Sequence, residues 1–186
     1  LHGEGLQHQD GHSLILAGTV PPCQAYDPAF AYELAAVVDE GLQRMYGHED
    51  THLNEDVFYY ITLYNENLDM PAMPEGCREG ILEGLYRLDA APEGDGPGIR
   101  LLGSGPMLPR ARSAAVALHE NHGIRAEVWS ATSYTQLRRQ ALETDRWNLL
   151  PPESKPRVSR VCELLDGSSD PVIAVTDFMR QLPDMV

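Results

Sequence analysis

Two histidines and a carboxylate fall within one short run near the start of the chain, Gly5-Leu6-Gln7-His8-Gln9-Asp10-Gly11-His12-Ser13, and a third histidine, His2, precedes it. Imidazole titrates closer to neutrality than any other unperturbed side chain, so such a segment can give or take a proton at a substrate. The same residues admit a second chemistry. His2, His8, Asp10 and His12 offer nitrogen and oxygen donors of the kind zinc or iron accepts, which would suit a small metal-dependent hydrolase. Against that reading, His8 and His12 share a face only on a helix, Gly11 disfavours one, and the chain has no HExxH pattern. A third reading is a solvated surface histidine. On residue type alone these readings stay open.

Other reactive residue types offer less. Gly103-Ser104-Gly105 follows a strand-like run and precedes a helical one, where backbone amides can cradle phosphate. It lacks both GxGxxG and GxxxxGK[ST], and Pro106 and Pro109 remove two amides, so a tight turn of small residues is the simpler expectation. Cys23, Cys77 and Cys162 form no CxxC pair and no zinc spacing, which points to free thiols in a reducing cytoplasm. His48, His52, His119 and His122 sit among polar residues and read as surface.

The elements that must carry these residues alternate helix and strand. Asp27 and Pro28 read as the cap and first residue of a helix running from Ala29 to Met45, with Gly47 just past its end. Phe30, Leu34, Val37, Val38, Leu42 and Met45 recur at helical spacing and predict its buried face. Val57 to Leu63 is dense in aromatic and β-branched residues and predicts a strand buried on both faces, Tyr59 and Tyr60 included. Met70-Pro71-Ala72-Met73-Pro74-Glu75-Gly76 marks a boundary, since its prolines block regular structure. Gly80 to Leu88 reads equally as a short helix or an extended lead-in.

A second rhythm follows: a strand at Ile99 to Leu102, and a helix from Pro109 to Asn121 with Ala114, Ala115 and Leu118 inward. Next come a strand at Ala126 to Ser130, a helix from Thr135 to Asp145, an irregular proline-rich stretch from Leu150 to Arg157, and a strand at Val172 to Thr176. This order predicts an α/β fold with parallel strands and right-handed crossovers.

Charge narrows the partners. The 186 residues carry a formal charge of -14, which disfavours nucleic acid and anionic membrane, and no window approaches a membrane span. The chain opens on Leu1-His2-Gly3 without an initiator methionine and ends just after a strand-to-helix passage, so it reads as a piece of a longer polypeptide. Half-domains cut at their sheets expose strand edges and apolar faces, which predicts self-association.

Taken together, these segments resemble a known family. The Gly5 to Ser13 run, Tyr26-Asp27-Pro28-Ala29-Phe30-Ala31-Tyr32-Glu33, Tyr60-Ile61-Thr62-Leu63-Tyr64-Asn65-Glu66-Asn67, the Met70 to Gly76 segment, Leu101-Leu102-Gly103-Ser104-Gly105 and Asp145-Arg146-Trp147-Asn148 match, in co-linear order, the homodimeric bacterial type of pyruvate dehydrogenase. That family is the thiamin-diphosphate-dependent decarboxylase of the pyruvate dehydrogenase complex.

The resemblance implies transketolase-like parallel sheets with flanking helices in two partial domains. Residues 1–70 would end a pyrimidine-binding domain, 71–98 would be linker and lead-in, and 99–186 would begin a C-terminal domain. It implies His8 as the catalytic histidine over the thiazolium ring, with His12 fixing the loop or touching substrate. Asn65 stands where transketolase carries a phosphate-gripping arginine, which implies a small substrate such as pyruvate. Thiamin diphosphate and magnesium would be held mainly by family regions outside this chain, as would the activating glutamate. The implied partners are pyruvate, the lipoyl domain of the dihydrolipoamide acetyltransferase component and a second copy in a homodimer. The fragment by itself is expected to be inactive. A non-catalytic dimerisation or docking module is the alternative function.

Overall fold

A computed structural model describes residues 5–47, 54–150 and 155–186; His2, His48 and His52 lie outside them. The described elements run α1 (Ser13–Gly18), β1 (Cys23–Tyr26), α2 (Ala31–Tyr46), β2 (Phe58–Ile61), α3 (Arg78–Glu83), β3 (Tyr86–Asp89), β4 (Gly98–Gly103), α4 (Met107–His122), β5 (Arg125–Ser130), α5 (Tyr134–Asn148), α6 (Arg160–Leu165) and β6 (Val172–Val175), with 3-10 turns at Leu6–His8 and Pro183–Met185. Strands β1 and β2 pair in parallel, and a second sheet has the order β3-β5-β4-β6. In that sheet β5 and β6 both run parallel to β4. Strand β3 is antiparallel to β5, an edge that the all-parallel expectation lacks.

The stretch 71–98, expected as linker and lead-in, holds α3 and β3. Its ambiguous part resolves into both options in turn. Gly84 at φ 102 ends the helix, and the chain then extends into β3.

The predicted start of α2 is corrected. The helix begins at Ala31, and Asp27 does not cap it. The carboxylate of Glu33 accepts the Ala29 and Phe30 amides at 2.6 and 3.0 Å, satisfying the orphan donors from inside the helix. The predicted buried faces also need revision. Along α2, Phe30 and Val37 are buried, but Val38 and Leu42 are exposed. On α4 Leu108 and Ala111 are buried, and Ala115 and Leu118 pack against the same cluster as the spacing suggests, but Ala114 faces outward.

Strand β2 is not buried on both faces. Tyr59 packs on α2, where Gly41 leaves room for its ring, and stacks on Tyr26 at 6.1 Å. Phe58 and Tyr60 point the other way, 49% and 39% exposed. Aromatic density marked the strand correctly but could not tell whether a second layer covers it.

The core ties the two sheets together. Ala25 of β1 sits in one cluster with Leu14, Leu85, Leu102, Trp129, Ala131, Tyr134, Leu137 and Leu182. Ser133 and Thr135 both donate to the Ala25 carbonyl, at 2.6 and 3.0 Å, so the head of α5 is bonded to β1. No helix among the described residues is long and apolar enough to cross a membrane.

Val38, Leu42 and Tyr46 form an uncovered strip along α2, at i, i+4 and i+8. The chain is expected to associate with rising concentration through such strips. Sedimentation velocity checks this: Leu42→Glu should shift the population toward monomer, and an unchanged distribution would contradict it.

Candidate active site at the strand ends

The carboxyl ends of β2, β4 and β6 face one cleft of about 610 Å³, lined by residues that include His8, Asp10, Tyr64, Asn65, Arg110 and Asp177. Parallel strands place ligands there because the loops leaving their carboxyl ends diverge and leave a crevice. Each wall follows from its strand. The 62–66 segment leaves β2, Arg110 lies in the first turn of α4 after β4, and Asp177 follows β6, while Asp27, straight after β1, lies buried behind them.

The histidine loop is held at the mouth of this cleft. His8 closes a 3-10 turn by donating its amide to the Gly5 carbonyl at 3.0 Å. Asp10 accepts the His12 and Ser13 amides at 2.9 and 3.0 Å, which starts α1. The Gly11 carbonyl takes the Met179 amide at 3.1 Å and joins the loop to the segment after β6. His8 and Asn65 therefore border the same space. His12 is exposed and is not among the cleft-lining residues. The metal reading finds no support among the described residues, where no group of three or more histidine, cysteine, aspartate or glutamate side chains could hold an ion.

The glycine turn after β4 serves packing. Gly105 has φ 47, and a Cβ there would lie 2.6 Å from the Asp27 carboxylate. Its amide donates to the Asp27 carbonyl at 3.1 Å. Close backbone approach across the two halves accounts for the small residue. Cys23 and Cys77 are buried and Cys162 is partly exposed, all three free, and burial pushes the Cys23 and Cys77 thiols up, away from nucleophilic thiolate.

Residue types alone did not reveal Asp27. It is 3% exposed, and its Oδ1 accepts the Thr62 hydroxyl at 2.6 Å and the Tyr64 phenol at 2.7 Å. Its Oδ2 has no hydrogen-bond partner. Burial raises its carboxyl to about 6, against the opposing pull of the Thr62, Tyr64 and Ser104 hydroxyls. Asp177, near Tyr64, is likewise raised by burial, and the charge of Asp10 adds to this.

The sign of the linkage is definite. The native state holds this proton more tightly than the unfolded chain, so the stability it contributes is present below pH 4 and is lost as pH rises to about 6. Asp27→Asn keeps an acceptor for Thr62 and Tyr64 without the buried charge. The variant should therefore gain on wild type by about 3 kcal/mol between pH 4 and 7. Urea titrations across that range check this; a difference independent of pH would contradict it.

Comparison with known proteins agrees with this layout. Residues 1–71 match the pyruvate dehydrogenase E1 component middle domain, and residues 84–185 match the transketolase-like TK C-terminal domain. The pyruvate dehydrogenase E1 components of Pseudomonas aeruginosa and Escherichia coli are each 46% identical over 186 residues, all of this chain and 20% of the relative. That of Mycolicibacterium smegmatis is 43% identical with the same 20% share. Among solved structures, transketolase from Leishmania mexicana superposes with a TM-score of 0.59 at 17% identity, over 94% of this chain and 21% of that one. A transketolase variant from Pichia stipitis gives 0.57 at 20% identity, over 92% and 21%. These structural likenesses establish the fold. The chain spans about one fifth of the length of its sequence relatives, and within that span it belongs to the pyruvate dehydrogenase E1 family, joining a middle-domain segment to a transketolase-like C-terminal segment.

Proposed function

We propose that this chain supplies the substrate-facing wall of a thiamin-diphosphate-dependent pyruvate dehydrogenase. That enzyme oxidatively decarboxylates pyruvate and passes the acetyl group to a lipoyl domain of the dihydrolipoamide acetyltransferase. The observation that carries the proposal is the meeting of His8 and Asn65 at one cleft in a chain 46% identical to named E1 components. Residues 1–70 are read as the end of the pyrimidine-binding domain, 71–98 as the connection and 99–186 as the start of the C-terminal domain. The whole enzyme is read as a cytoplasmic homodimer.

The cleft's own donors do not suit a diphosphate. Asp10, Glu66 and Asp177 are carboxylates, and Arg110 is the cation among the lining residues. No described cluster fits magnesium. The diphosphate and its ion are therefore assigned to parts of the E1 chain outside this one. Thiamin diphosphate supplies the carbon nucleophile and the electron sink that decarboxylation needs.

The residues present have simpler tasks. His8, held on its 3-10 turn, donates a proton to the carbonyl oxygen of pyruvate as negative charge develops there. Asn65 offers an amide where a guanidinium would clamp phosphate, so the wall accepts a small acid and leaves a sugar phosphate without its bidentate partner. Arg110, which meets Glu66 loosely at 3.4 Å on the rim, can draw an anionic substrate inward.

Segment exchange tests the reading. The chain would replace the matching fifth of the Escherichia coli E1 component. Pyruvate-dependent release of CO2 would then be followed with thiamin diphosphate and magnesium present. Retained decarboxylation, with little response to fructose 6-phosphate, is the expected result. A folded chimera that binds the cofactor but ignores pyruvate would overturn it. In the same chimera His12→Ala should change turnover by less than about threefold, because a surface side chain beside the site contributes under ~0.7 kcal/mol.

A further inference from the structure

Asp27 is a buried carboxylate with no cation beside it, and that is expensive unless the group has work to do. Its surroundings are specific. Thr62 and Tyr64 approach from the segment after β2, Ser104 and Gly105 from the turn before α4, and Tyr134 from the head of α5; Asp177 stands beyond Tyr64. On the far side Asp177 is influenced by Asp10. None of these named groups is a cation. Gly105 presses its backbone against the carboxylate and seals that side. The Tyr64 phenol is the polar group that reaches both Asp27, at 2.7 Å, and Asp177 Oδ1, at 3.4 Å. Both Tyr64 and Asp177 line the cleft.

We propose that Asp177, Tyr64 and Asp27 form a proton relay between the cleft and the interior, with Asp27 as a positioning residue that sets which way the Tyr64 hydroxyl points. With Asp27 ionised, the phenol donates inward to it. A proton arriving on Asp177 is passed to the Tyr64 oxygen as the Tyr64 proton moves to Asp27 Oδ1. One O–H bond breaks and one forms at each step, and the phenol ends neutral. Protonated Asp27 then donates back to the phenol, whose hydrogen turns toward Asp177.

The second donor can yield, because the Thr62 hydroxyl has another acceptor in the Tyr26 carbonyl at 3.3 Å. The midpoint near 6 for Asp27 keeps both charge states within reach at ordinary pH. A plain structural acceptor would need the two hydrogen bonds but would gain nothing from ionising.

The test requires neither cofactor nor substrate, so its failure would leave the segment-exchange result standing. Aspartate-13Cγ carboxyl signals of the 186-residue chain would be followed from pH 4 to 8 in wild type, Tyr64→Phe and Asp27→Asn. Wild type should show one averaged Asp27 signal that moves with pH, because the relay exchanges its proton quickly. Tyr64→Phe, which keeps the ring and every charge, should lose that averaging and show separate protonated and ionised signals. Asp27→Asn should strip from the Asp177 titration its inflection near the Asp27 midpoint. An Asp27 signal averaged equally in Tyr64→Phe would overturn the relay. Should that variant fail to fold, an Asp177 curve unchanged in Asp27→Asn would overturn it instead.

Discussion

Glu33→Ala should abolish cooperative folding or lower the stability of the chain by about 4 kcal/mol or more, since removing an acceptor strands each buried donor at about 1–3 kcal/mol. The Glu33 side chain is fully buried. Its Oε2 accepts the Ala29 and Phe30 amides, and its Oε1 accepts the Tyr86 phenol and the Ser130 hydroxyl, both at 2.6 Å. Tyr86 spends its proton on Glu33, so the 2.7 Å contact between the two phenols must be a donation from Tyr32 to Tyr86. Four hydroxyl and amide groups, from the turn before α2, from β3 and from β5, thus depend on one carboxylate, with the Tyr32 phenol held behind Tyr86.

Total stabilities of domains run only about 5–15 kcal/mol, so this loss consumes much of the margin. Glu33→Gln should fall between wild type and alanine. Either orientation of the amide points an NH2 group at two donors, so one pair is always lost. Urea titration followed by the fluorescence of buried Trp129 measures both variants. Glu120→Ala, at an exposed position on α4, is the control and should stay within about 0.5 kcal/mol of wild type. A Glu33→Ala loss no larger than about 1 kcal/mol would show that the network is not what joins the two halves.

What could be read from the sequence divides along a physical line. Periodicity and turn chemistry act within a few residues, and they placed α2, α4, α5, β4, β5 and β6 close to where they lie. The histidine loop was visible because its residue types are wrong for a helix or strand interior. The whole-chain resemblance then supplied the family and the fold, which spacing could not.

The short helices α1 and α6 also went unread, but the misses that bear on the site are long-range. Asp27 before a proline looks like a helix cap, and only contacts 35 and 37 residues away make it the buried end of a hydroxyl pair. Glu33 looks like a helix-start acid, while its decisive partner Ser130 is 97 residues distant. Strand β2 has the composition of a doubly covered strand, yet coverage depends on what packs against it. The antiparallel direction of β3 left no signal, because pairing direction is set by the path of the chain and not by the residues in the strand. Arg110 on an ordinary helix face carried no signal either.

The second large effect belongs to His8, the proton donor of the wall proposed to act on pyruvate. A positioned proton donor is worth about 10²–10⁴-fold in rate. In the exchanged enzyme His8→Ala should therefore lower kcat by at least about 100-fold, roughly 3 kcal/mol of transition-state stabilisation, with a smaller change in KM. The geometry behind this is local. The 3-10 turn and the Asp10 bonds fix the loop, and the Gly11 carbonyl binds the Met179 amide, so losing the imidazole should leave the loop in place. Asn65→Ala removes a neutral hydrogen-bonding group and should cost about tenfold at most. The most direct measurement is single-turnover release of CO2 from pyruvate by the exchanged enzyme with and without His8→Ala, at saturating thiamin diphosphate. A loss of about 100-fold or more with cofactor affinity unchanged is the expected result. A variant that releases CO2 at the parent rate would contradict it.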